Sequence, residues 1–314
     1  MNIKTCIGLL FPLTLSALPV QADTWAWGRL EAFDRTEGVD LKQFLGNFSA
    51  GTRFGVADLW VNADYGRLNL DDFRLEHDNF DFGADFALSD HLKLDVTYSR
   101  LNEEALFLDS VDRTGFENSE IGLTWQGNSW FLRAGFAALD QELPDTAGDY
   151  WSLGGGLALT PRTDATLITY MPRDDGSHVT AMGLNYAADR FSVSAHYVHA
   201  SEAERIFNAT VDMPVNDRLN VQGYLAHYSQ PEEDLYTSIG AGLRYQFAER
   251  AAVYGALEHI MPDDDTGSFA SVGIGIDFAL GDRPARRMNF AEQVGKPVFL
   301  NGQLPGVLFS RRLR

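Results

Sequence analysis

The phrase LSDHLKLDVTY, Leu88 to Tyr98, is echoed by AADRFSVSAHY from Ala187, VNDRLNVQGYL from Val215 and FAERAAVYGAL from Phe247. Each opens on a polar turn and continues as an alternating run. Alternation at period two marks a β-strand, because successive side chains point to opposite faces of a sheet. After the turns one column reads Leu92, Leu94, Val96, Tyr98; Phe191, Val193, Ala195, Tyr197; Leu219, Val221, Gly223, Leu225; Ala251, Val253, Gly255, Leu257. The other begins Lys93, Asp95, Thr97; Ser192, Ser194, His196; Asn220, Gln222, Tyr224. A chain that restarts one such strand so often builds a two-faced sheet, and either a sandwich or a closed barrel satisfies it.

The pattern governs the chain from Thr24 to about Leu280, with no convincing amphipathic helix in that span. In NFDFGADFAL, Phe80, Phe82, Ala84, Phe86 and Leu88 oppose Asp81, Gly83, Asp85 and Ala87. The last clear strand, SFASVGIGIDFAL, sets Ala270, Val272, Ile274, Ile276 and Phe278 against Ser271, Gly273, Gly275 and Asp277. Sixteen strands are expected: 24–34, 52–63, 67–76, 80–88, 91–102, 116–126, 129–140, 148–160, 163–172, 178–187, 190–200, 204–215, 218–229, 235–247, 250–261 and 268–279. The count falls to fourteen if the segment before Tyr65 is not wall. The connections alternate as well. SDH, QGN, TPRT, ADR, NDR and AER are tight, whereas 102–118, 140–149, 172–177, 201–205, 229–234 and 262–267 are mostly longer and acidic. This is a meander of hairpins with two unlike ends.

Residues 1–22 read as a secretory signal, with Lys4, the apolar CIGLLFPLTLSAL and a small-residue site before Asp23. The only cysteine, Cys6, lies inside it, so the exported chain has no disulfide. The net charge of −19 disfavours nucleic acid, whose phosphates would be repelled. Beyond residue 22 no apolar run approaches the ~20 residues of a membrane-spanning helix. A membrane location therefore requires a closed barrel, and most of the expected runs have the length of a tilted spanning strand. Aromatic residues near strand ends point the same way: Trp125 and Trp130 beside one turn, Tyr150 and Trp151 beside a loop, Tyr228 and Tyr236 around another.

With the export signal, the hairpin meander, the SDHL and NDRL turns and the glycine- and aromatic-bearing GIGIDF strand, residues 24–280 resemble the Gram-negative outer-membrane β-barrels and look porin-like. The resemblance implies an all-β, antiparallel up-and-down barrel over residues 23–280, with tight turns in the periplasm and acidic loops outside. It implies lipid and lipopolysaccharide as surroundings, and recognition of the last strand by the barrel-assembly machinery, with Phe278 as the nearest match to the usual terminal aromatic. Most porins end at that residue; here 281–314 follow. That extension carries seven Lys and Arg against two acids and is read as a periplasmic segment or as a lumen plug.

The candidate site is the polar column. Asp81, Asp85, Lys93, Asp95, Arg133, Arg244, Glu258 and Asp277 would set a transverse field that tunes ion selectivity, or pair with one another to fill a narrow barrel. Porin-like barrels fold one loop inward, and the corresponding acids would be Glu103, Glu104, Asp109 and Asp112; an ordinary surface loop is the other reading. The acidic loops, including Asp263, Asp264 and Asp265, suit divalent cations or simple solvation. His196 and His259 stand without ligand spacing, and no nucleophile motif is present, so no catalytic residue, metal or cofactor is assigned. The expected function is a channel for passive diffusion of small hydrophilic solutes. A closed structural or adhesive barrel acting through its acidic loops, and an outer-membrane hydrolase, are the alternatives.

Overall fold

The computed structural model describes residues 24–281, apart from the connections 36–40, 71–72, 108–109, 142–147, 175–177, 201–204, 231–232 and 263–267. The strands are β1 (Thr24–Arg35), β2 (Leu41–Phe54), β3 (Ala57–Leu70), β4 (Phe73–Ala87), β5 (Leu92–Phe107), β6 (Ser110–Gln126), β7 (Trp130–Gln141) and β8 (Gly148–Thr160). They continue as β9 (Thr163–Pro172), β10 (Val179–Ala187), β11 (Ser192–Ala200), β12 (Arg205–Pro214), β13 (Leu219–Gln230), β14 (Glu233–Ala248), β15 (Ala251–Pro262) and β16 (Phe269–Leu280). Each pairs antiparallel with its sequence neighbours, and β1 closes on β16 to complete the sixteen-stranded barrel. The expected segments at residues 1–23 and 282–314 lie outside the described residues.

Two of the four echoed turn phrases share a cause. At the β4–β5 turn the Ser89 hydroxyl accepts from the amides of His91 and Leu92 at 3.3 and 3.1 Å. At β12–β13 the Asn216 side-chain Oδ1 accepts from the amides of Arg218 and Leu219 at 2.9 and 3.0 Å. Short polar side chains thus satisfy backbone donors that the ladder leaves open, and the next strand starts in fixed register.

Two expectations about element boundaries are corrected. The expected strands 52–63 and 67–76 straddle real turns. β2 ends at Phe54, and Gly55 turns the chain in the left-handed region at φ 62°, where a side chain would be strained. β3 then runs to Leu70 and β4 begins at Phe73. The second correction concerns 102–118. These residues mostly continue the wall: β5 and β6 pair in unbroken register from Leu92↔Trp125 to Phe107↔Ser110. Glu103, Glu104 and Asp112 stand on those paired strands, and Asp109 lies outside the described residues. A hairpin locked by its own ladder extends the wall and is not a loop folded into the lumen. β5 and β6 have 16 and 17 residues, against 9 each in β10 and β11. At ~3.3 Å per residue these strands are longer by roughly 25 Å on one side of the barrel.

Alternation assigns the faces. Large apolar side chains such as Phe82, Val96, Ile121, Leu123, Leu153, Leu243, Leu257 and Ile274 are exposed on the convex face, which suits lipid. Polar residues appear on that face towards the loop end, where Arg100 meets Glu117 at 3.6 Å and Arg74 and Arg67 flank Glu76. Aromatic side chains edge the apolar band: Trp125 packs edge-on to Trp130 at 5.4 Å, and Phe136 on Trp151 at 5.2 Å. Tyr150, by contrast, is buried on the inner face, because it is one residue out of phase with Trp151. At the closing seam Phe278 lies over Gly28 of β1, where a Cβ would collide with its ring.

Candidate functional site: the lumen wall

On a concave face the side chains of alternate strands converge, so residues two strands apart can meet. Such contacts identify the inner face. Arg133 of β7 reaches Asp95 of β5, and Arg244 of β14 reaches Asp277 of β16. All eight sequence-derived candidates stand on this face, by strict alternation along their strands: Asp81 and Asp85 on β4, Lys93 and Asp95 on β5, Arg133 on β7, Arg244 on β14, Glu258 on β15 and Asp277 on β16.

Arg133 forms the densest centre. Its Nη2 lies 2.6 Å from Asp95 Oδ2 and 2.6 Å from Glu120 Oε1, and its Nη1 donates to Ser152 Oγ at 3.0 Å. Room for the guanidinium comes from glycine: a Cβ at Gly122 would collide with it, and one at Gly135 would lie 2.6 Å from Ser152 Oγ. One cation is thus shared by two carboxylates, and the Glu120 side chain is 0% exposed. Charges in such a place persist only when paired and hydrogen-bonded.

A second group spans β2 to β6. Ser49 Oγ donates to Asn62 Oδ1 at 2.6 Å, and Asn79 Nδ2 lies 3.2 Å from Asp64 Oδ2 and 3.1 Å from Asp81 Oδ2. Asp81 faces Ser99 across the ladder, and Ser99 faces Asn118. Across the barrel Arg244 grips Asp277 in a two-pronged pair at 2.9 and 2.7 Å. At the tight-turn rim Arg53 pairs with Asp58 at 2.7 Å, Lys93 is exposed, and Asn185 donates to Asp164 at 2.9 Å. Between these polar arcs, β7 to β11 turn an apolar strip inward: Ala137, Ile168, Tyr170, Ala181 and Val198, all buried.

Several inner aromatic rings lie flat on the wall over glycines of the neighbouring strand. Trp25 covers Gly51, Trp60 covers Gly83, Phe131 covers Gly156, Tyr224 covers Gly240 and Tyr254 covers Gly275. Each ring fills the groove a missing Cβ leaves and keeps its bulk out of the lumen.

Among the described side chains the inner face carries ten carboxylates, Asp58, Asp64, Asp81, Asp85, Asp95, Glu120, Asp164, Asp212, Glu258 and Asp277, against the four cations Arg53, Lys93, Arg133 and Arg244. Glu120 and Asn118 escaped the sequence reading although NSEIGLTW alternates plainly; following that column inward would have found them. Asp64 escaped because the β2–β3 turn was misplaced. His196 stands on the inner face and His259 on the outer. Among the described residues no three His, Cys, Asp or Glu side chains gather as a metal site.

No known family model matches the chain, and no curated protein matches it in sequence. Solved structures do. CdiB from Acinetobacter baumannii superposes with a TM-score of 0.62 at 9% identity, covering 83% of this chain and 60% of CdiB, so the chain spans about three fifths of that protein's length. OccK5 (OpdH) from Pseudomonas aeruginosa gives 0.51 at 8% identity, covering 82% and 97%. The CymD monoaromatic hydrocarbon channel gives 0.49 at 11%, covering 91% and 95%. At such identities the likeness is one of fold. By that architecture, and by an apolar outer face that suits lipid, the chain has the fold of the outer-membrane-type β-barrels.

Proposed function

We propose that the barrel is a channel for passive diffusion of small hydrophilic solutes, with a preference for cations. The observation that carries this reading is the inner face, where ten described carboxylates oppose four cations inside a wall whose outer face is apolar. Fixed lumen charge of one sign concentrates the opposite ion and raises its share of the current. Recognition by the barrel-assembly machinery through β16, which bears Phe278 at the seam, belongs to the same reading. So does an outer surface of lipid and lipopolysaccharide.

Purified protein in planar bilayers tests it. Under a salt gradient the reversal potential is expected on the cation side, and replacing Asp85 with Asn moves it towards zero. A folded barrel that never conducts, or an anion-side potential, overturns the reading. A closed structural barrel is the second reading. It is favoured by one observation: Asp81, Ser99, Asn118 and Tyr170 are 0% exposed although they face inward.

A further inference from the structure

A sixteen-stranded barrel encloses a lumen wide enough for water and small solutes. Its inner charges are unevenly spread. Among the described side chains the four inner cations stand on β2, β5, β7 and β14, so the inner face of β8 to β13 carries none. Of the ten inner carboxylates only Asp164 and Asp212 fall in that arc, and an amide holds each. Asn185 Nδ2 donates to Asp164 Oδ1 at 2.9 Å, and Gln222 Nε2 donates to Asp212.

The rest of the arc, between the apolar strip and the tight turns, is polar and mostly neutral. One row of the ladder runs Asp164, Asn185, Ser194, Thr210 from β9 to β12. The next runs Thr166, Gly183, His196 from β9 to β11. Gly183 leaves a gap between its two neighbours: a Cβ there would lie 2.6 Å from Thr166 Oγ1 and 3.2 Å from His196 Nδ1. His196 is exposed, and Thr166, Asn185, Ser194 and Thr210 are half-buried, whereas Ser99, Asn118 and Glu120 on the inner face of β5 and β6 are buried. This arc is therefore a part of the wall that a solute in the lumen can touch. The hydroxyls of Thr166, Ser194 and Thr210 make no side-chain hydrogen bond among the described residues.

A hydroxyl both donates and accepts, and an amide bound to one carboxylate oxygen keeps its second hydrogen. Such a surface offers little to a bare ion. It suits a neutral solute whose own groups donate and accept at short intervals. We propose that the inner arc of β9 to β13 binds neutral polyhydroxylated solutes, sugars above all. Solute hydroxyls meet Ser194 and Thr210, flanked by the Asp164–Asn185 and Asp212–Gln222 pairs, and the gap at Gly183 admits one more between Thr166 and His196. What the arc contributes to transport rests on the channel reading; the binding itself does not.

Saturation-transfer NMR on the chain from Asp23 to Arg314, folded in detergent micelles, tests it. The probes are glucose, sucrose and maltotriose, with N-acetylglycinamide as a neutral polar control that lacks hydroxyls. Sugar binding is expected, and the control is expected not to bind. Ser194→Ala combined with Thr210→Val removes two hydrogen bonds and is expected to weaken sugar binding about tenfold. Gly183→Ala, which fills the gap, is a second and independent variant, and heat-modifiable gel mobility verifies the fold of each. Weaker binding in either folded variant supports the arc. Absence of sugar binding, equal binding of the control, or binding that survives both variants overturns it. In planar bilayers the bound sugar is expected to lower the current reversibly. If sugar binds but the barrel never conducts, the channel reading falls and the arc stands. If the barrel conducts and no sugar binds, the arc falls and the channel stands.

Discussion

At the scale of residues, the inner wall works by sharing. Arg133 serves Asp95, Glu120 and Ser152 at once, with a side chain only 10% exposed. Replacing it by Met removes the cation that lies 2.6 Å from the fully buried Glu120 side chain. Breaking a buried pair from one side costs ~3–5 kcal/mol, because the remaining charge keeps its desolvation penalty. Arg133→Met is therefore expected to lower the urea midpoint of the folded barrel sharply. The double variant Arg133→Met, Glu120→Gln is expected to recover much of the loss. Equal destabilisation of both variants would assign the effect to packing instead of charge. The sequence named Asp95 and Arg133, but not that they meet. Their meeting depends on the register of three strands and on the space at Gly122, and alternation specifies neither.

At the scale of elements, legibility followed the surroundings of each strand. From β7 onward the strands were read almost to their ends, because lipid on one side and polar contacts on the other impose strict alternation. The stretch after Asn102 defeated the same reading. Its convex face there already carries charge, as Arg100 and Glu117 show, so both faces are polar and the period fades although the ladder continues. The turn at Gly55 was hidden for the opposite reason. Phe54 and Val56 flank it with apolar side chains, and no Ser or Asn announces it. Where such a side chain is present, it does physical work. Asn216→Ala removes two bonds to backbone amides and is expected to cost about 1 kcal/mol, as is Ser89→Ala. Refolding into detergent micelles with urea titration measures both. An unchanged midpoint in each would show that the hairpins register through their strands alone.

At the scale of the whole molecule, the outer face must match a bilayer of finite thickness. Ile121 is 48% exposed in the middle of the apolar band, and Glu117 lies four residues on, in the polar margin. Ile121→Arg is expected to cost ~2–4 kcal/mol in lipid vesicles, with Ser119→Arg milder. The same cost at both positions would place the band elsewhere. The closing seam has a further consequence. Fifteen of the sixteen strand pairings join neighbours in sequence, and only β1 with β16 spans the chain. Every hairpin can therefore form as it is made, yet none completes the object. A chain halted anywhere before Phe269 keeps two unsatisfied edges, on β1 and on its last strand, and such edges invite pairing with other chains. The final dozen wall residues thus act as a checkpoint on synthesis, separating a finished barrel from a template for aggregation.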